Sequence, residues 1–74
     1  MVDYTLDCKG QQCPTPIIQI SKQMAGMQPG QRLRVEATDP AFRADVTTWT
    51  RMREQELETL DADGPIAVAV LIKR

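Results

Sequence analysis

The chain has 74 residues, 42% of them apolar and 26% charged, with a formal net charge of −1. This is ordinary globular composition for one small domain spanning 1–74, with a thin core, since chains this short bury only about 60% of their unfolded surface. The near-neutral charge excludes a protein that works mainly by gripping nucleic acid, and the sequence contains no histidine, which removes the commonest general base and transition-metal ligand.

Two cysteines alone do not make a structural zinc site. No metal and no cofactor are therefore expected, and thiol chemistry or binding without chemistry remains. The first residues, Met1-Val2-Asp3-Tyr4, are unlike a signal peptide. The longest apolar run, Ile66 to Ile72, is too short to cross a bilayer. A cytoplasmic protein without a membrane partner is expected, where thiols stay reduced unless they are catalytic.

The chain opens with alternation. Tyr4, Leu6 and Cys8 fall on one face of a short strand over residues 4–8. Lys9-Gly10-Gln11-Gln12 follows as a loop, with Gly10 supplying a backbone angle other residues resist. Next comes Cys13-Pro14-Thr15-Pro16. Thr15 is an N-cap candidate, with Pro16 behind it at the first helical position. Pro14 discourages Cys13 from helical dihedrals, which sets the thiol just outside the helix. There it faces unpaired N–H groups and the positive end of the helix dipole, a position that lowers thiol pKa. Lys9 is close enough in sequence to help.

The first helix is expected from Thr15 to about Gly26, with Ile17, Ile20 and Met24 on its apolar stripe, joined by Ile18. Residues 28–31 form a turn. Arg32 to Ala37 alternates, with Leu33, Val35 and Ala37 inward and Arg32, Arg34 and Glu36 outward. One side of that strand is wet, so helices cover one face of the sheet only. Asp39 and Pro40 repeat the cap-and-proline device before a second helix, which should reach about Glu54. Phe42, Val46 and Trp49 lie along one side of it as core residues. Residues 56–61 are a weakly patterned third strand, because Leu57 and Leu60 do not share a period of two. After a turn over residues 62–65, Ile66 to Ile72 is apolar on both sides and so should be central.

The element order is βαβαββ. Parallel crossovers are right-handed, so two that advance in one direction set both helices on one face. The last strand then lies antiparallel between the second and third. The expected fold is an α+β two-layer sandwich with a four-stranded mixed sheet of order 1-2-4-3.

Leu6-Asp7-x-x-Gly10-x-x-Cys13-Pro14-x-Pro16 resembles the motif of the TusA/SirA-like sulfur-carrier proteins. Gly30, Asp39-Pro40 and Lys73 also fall where that family has them, so the resemblance covers nearly the whole chain. One departure stands out. Members commonly carry a Gly-His-Glu turn before the third strand, whereas this chain has Arg53-Glu54-Gln55-Glu56.

The resemblance implies the same two-layer sandwich. It also implies that Cys13 accepts sulfane sulfur as a persulfide, with Asp7, Gly10, Pro14, Thr15 and Pro16 as supporting motif. The implied donors are a cysteine desulfurase or a rhodanese-type sulfurtransferase. The implied acceptors are relay proteins leading to tRNA thiolation, cofactor assembly or sulfur oxidation. Such a carrier is a sulfurtransferase by convention and a monomer when free.

Two other readings stand beside it. A dithiol redox protein would use Cys8 as a second thiol with Cys13, at C-x4-C spacing, which requires Cα atoms within about 7 Å. Cys8 shares its strand face with Leu6, which suits a buried small hydrophobe better. A pure interaction or regulatory module would need no thiol at all.

Overall fold

The computed structural model describes residues 2–12 and 14–74. Its elements follow the expected order: β1 (Tyr4–Cys8), α1 (Thr15–Ala25), β2 (Arg32–Ala37), α2 (Phe42–Met52), β3 (Glu56–Asp61) and β4 (Ala67–Ile72). The four strands form one sheet of order β1-β2-β4-β3. β1 runs parallel to β2, and β4 is antiparallel to both of its neighbours. Consequently β1, β2 and β3 share a direction. Each helix then joins two parallel strands and runs against them, so α1 and α2 both start at the end of the sheet where β1 and β2 finish. That shared end positions the candidate site.

The core lies between the sheet and the two helices. Cys8, Leu33, Val35, Ala37, Ala67, Ala69 and Leu71 come from the sheet, while Ile20, Met24, Phe42 and Val46 come from the helices. The alternation in β2 is realised residue by residue, with Leu33, Val35 and Ala37 buried and the residues between them half-exposed. β4 is central, as a strand apolar on both sides should be. Only its Ala67, Ala69 and Leu71 side is buried, because no helix covers the opposite face.

The poor pattern of β3 has a specific cause. Leu57 pairs with Leu71, but Thr59 pairs with Val70, so Glu58 is an extra residue in a bulge. That insertion flips the alternation and lets Leu57 and Leu60 both pack against the core. Arg32 grips the bulged Glu58 at both carboxylate oxygens, with Nε–Oε1 and Nη2–Oε2 each 3.0 Å. A charged bulge on an edge strand also discourages pairing with another chain.

Both helix starts differ from expectation. Thr15 is the first helical residue of α1, and Pro14 holds the N-cap position. The reason is a preceding turn: the Thr15 N–H donates to the Gln12 carbonyl at 2.9 Å, which draws Thr15 into the helix. Among the described residues, no side chain caps α1. Likewise Ala41, not Asp39, is the N-cap position of α2. Asp39 instead organises the lead-in turn, where its Oδ1 accepts from the Ala41 N–H at 3.1 Å and its carbonyl from the Phe42 N–H at 3.0 Å.

α2 also ends earlier than expected, at Met52. The Gln55 N–H donates to the Thr50 carbonyl at 2.9 Å and the Glu54 N–H to the Arg51 carbonyl at 3.3 Å. This is a Schellman stop, which wants a left-handed residue and usually a glycine at the first position past the cap. Glu54 occupies that position with φ +55°.

Candidate functional site: the loop between β1 and α1

The motif residues on either side of Cys13 act through the backbone. Asp7 Oδ1 accepts from the Lys9 N–H at 3.0 Å, and the Cys8 carbonyl accepts from the Gln11 N–H at 3.2 Å. The chain thus turns immediately after β1. Gly10 takes φ +81°, a left-handed angle that suits glycine. A Cβ there would meet nothing among the described residues within 4 Å, so backbone angle rather than crowding selects glycine. The Gly10 N–H donates to Thr38 Oγ1 at 2.9 Å. This bond ties the β1–α1 loop to the β2–α2 loop, and a cleft of about 490 Å³ lies between Gly10–Gln12 and Thr38–Ala41.

Cys13 itself lies outside the described residues. Its chain neighbours Gln12 and Pro14 are both exposed. Thr15 is exposed as well, whereas Pro16 is among the fully buried side chains, with less than 2% of its surface accessible. Pro16 therefore belongs to the core in addition to starting the helix.

Lys9 is held elsewhere. Its Nζ lies 3.0 Å from Glu36 Oε1 and 3.9 Å from Asp7 Oδ1, on the helix-free side of the sheet. Arg34 also pairs with Glu36. The bond to Glu36 raises the Lys9 pKa and helps depress that of Glu36, where Arg34 is the larger cause. The lysine charge is thus already shared between two carboxylates, which limits the aid it can give a thiolate.

Cys8 is fully buried, and its thiol points to Gln19 Oε1 at 3.8 Å. Burial pushes its pKa up, and the Asp7 carboxylate adds to the effect. A neutral thiol with no solvent contact is a poor attacking or resolving group. These properties fit the small-hydrophobe reading of Cys8.

Trp49 was expected in the core, and it is only partly buried there. With Pro14, Ile17, Asp45, Thr48 and Met52 it lines an apolar groove between the helices, beside the start of α1. Met52 is 76% exposed. The spacing of Trp49 and Met52 on α2 is legible in the sequence, but their approach to Pro14 depends on α1 and α2 lying side by side. Asp45 Oδ2 is buried in this region without a hydrogen-bond partner among the described residues. Among the described residues, no group of three or more His, Cys, Asp or Glu is placed to hold a metal ion. Among the described residues, no helix is long and apolar enough to cross a membrane.

The fold is similar to that of a crystallised SirA-like protein from Desulfitobacterium hafniense, with TM-score 0.82 and 22% identity over 95% of this chain and 96% of that one. At that identity the likeness speaks for the fold. The family model described as Sulfurtransferase TusA matches residues 4–74, taking in every element from β1 to β4 and the whole Cys13 loop. The chain therefore belongs to the sulfurtransferase TusA family, whose members serve in general as sulfur carriers acting with sulfur-relay partners.

Proposed function

We propose that this protein receives sulfane sulfur on Cys13 as a persulfide and relays it to a second protein. The observation that carries the reading is the convergence of two helix N-termini on the loop that contains Cys13. α1 and α2 run the same way, and each presents on the order of half a positive charge at that end. Anionic groups are favoured there, and a thiolate is one.

The transfer needs little else. The Cys13 thiolate attacks the terminal sulfur of a donor persulfide. A new sulfur–sulfur bond forms, the donor's sulfur–sulfur bond breaks, and the donor cysteine leaves as a thiolate. The terminal sulfur keeps its proton, so the step requires no on-board base and no external oxidant. Gly10, Asp7 and Thr38 brace the loop, and Pro14 and Pro16 restrict it further, which reduces the ordering cost of docking. The donors that fit are a cysteine desulfurase or a rhodanese-type enzyme, and the acceptor is a relay protein in the cytoplasm.

Mass spectrometry after incubation with a sulfur-loaded cysteine desulfurase tests the proposal. The expected product is the parent chain heavier by one sulfur on the Cys13 peptide, reversed by reductant. Cys13→Ser should fold as the parent does and gain nothing. A gain of sulfur by that variant, or a parent chain that only loses two hydrogens, would overturn the carrier reading.

A further inference from the structure

A second cleft lies at the opposite end of the helix pair from the Cys13 loop. It is lined by Ser21, Met24, Trp49, Arg53, Gln55 and Lys73, with a volume of about 240 Å³. Two of these residues are cations. Neither Arg53 nor Lys73 takes part in an ion pair among the described residues, whereas Lys9, Arg32, Arg34 and Arg74 all do.

The neighbouring carboxylate Glu56 is engaged by Arg74 at 2.6 Å, and Gln55 Oε1 accepts from the Arg74 N–H at 2.8 Å. Arg53 sits at the C-cap of α2, where the helix dipole favours a cation. That argument does not reach Lys73, which follows β4 and is half-buried. Its backbone is pinned on both sides, the N–H to Gln31 at 2.9 Å and the carbonyl to Gly30 at 2.8 Å. Two cations outside the ion pairs of the described residues thus line one cleft with Trp49, a setting suited to carboxylates.

Trp49 lines this cleft and also the apolar groove that begins at Pro14. The two hollows therefore share the Trp49 side chain. Ser21 lies seven positions beyond Pro14, about 10 Å along α1 at 1.5 Å per residue. The loop end of the apolar groove carries Asp45, with one buried carboxylate oxygen unpartnered among the described residues. One acidic side chain, Asp45, thus lies near the sulfur loop, and the two cations Arg53 and Lys73 lie at the far end of the helix pair.

We infer that the cleft of Trp49, Arg53 and Lys73 docks an acidic segment of a partner polypeptide, with its carboxylates on Arg53 and Lys73 and its apolar residues running back toward Pro14. The inference rests on the carrier reading for the identity of the partner, but not for binding itself. Charge complementarity selects the segment, and the placement of Arg53 and Lys73 away from Asp45 sets its direction.

Trp49 is the sole tryptophan of the chain, so its fluorescence reports occupancy. The probe is a blocked peptide of two leucines followed by four glutamates, titrated at low salt against the full chain. A matching peptide ending in four lysines is the counterpart. The acidic peptide should give a saturable spectral shift that weakens as salt is added. The lysine peptide should give none. Arg53→Gln, at an exposed position, should weaken binding severalfold, and Arg53→Gln with Lys73→Gln at least tenfold. Arg43→Gln, an exposed cation on α2 outside the cleft, should leave binding unchanged.

Thermal melts confirm that each variant is folded. Cys13→Ser should bind like the parent, which separates this test from that of sulfur transfer. Equal binding by the double variant, equal binding of both peptides, or no shift up to millimolar peptide would overturn the inference.

Discussion

Glu54→Gly should make this protein more stable, because glycine is the residue that the left-handed position past a helix cap usually takes. Glu54 holds φ +55° in the stop that ends α2, while its side chain is exposed. Left-handed backbone costs a residue with a Cβ about 1–2 kcal/mol, and glycine is free of that cost. Against this, glycine loosens the unfolded chain, which takes back about 0.4–1 kcal/mol. The exposed carboxylate forms none of the ion pairs among the described residues, so little packing is lost. Taking the midpoints, the net gain is about 0.8 kcal/mol, or roughly 3–6 °C in Tm at about 4–8 °C per kcal/mol for a chain of this size. Urea melts measure it as a rise in midpoint at unchanged slope. Glu54→Ala is the decisive companion, since alanine keeps the Cβ and the same penalty and should stay within about 0.5 kcal/mol of the parent. If glycine is no more stable than alanine, the left-handed angle is not what strains this turn, and the reasoning fails.

Pro16→Ala should cost on the order of 2 kcal/mol in a denaturant melt, combining the freed unfolded chain with about two buried methylene groups; Pro14→Ala, at an exposed position, should cost less and slow sulfur uptake more. Cys8 should resist alkylation in the native protein and react on unfolding, because its thiol is buried with a raised pKa; rapid native labelling at Cys8 would return it to consideration as a second thiol. Stability should decline on acidification. Glu36 and Glu58 have pKa values lowered by Arg34 and Lys9 and by Arg32 respectively. Their contribution is fully present above the ordinary carboxylate value near 4.5 and is lost as pH falls below it through the depressed folded values. Glu36→Gln with Glu58→Gln should flatten that acid limb of a Tm-against-pH curve.

The sequence by itself determined the element order, the faces of β2 and the family motif around Cys13, because each is written in local rules. Alternation in Arg32–Ala37 follows from the pleat, helical spacing places Ile20, Met24, Phe42 and Val46 inward, and Asp7, Gly10 and the prolines act on neighbouring backbone. Tertiary structure decided what depends on partners distant in the chain. The bulge at Glu58 hid β3 from a period-two reading, and it is fixed by pairing with β4 and by Arg32, 26 positions away. Lys9 is drawn to Glu36 across the β1–β2 pair, so its place in the sequence beside the loop misstates where its charge goes. Trp49 has core spacing on α2, yet α1 covers only part of it and leaves the rest to two clefts. Which side of a residue stays open depends on what packs against it, and for α2 that neighbour is α1, a helix more than fifteen residues earlier in the chain.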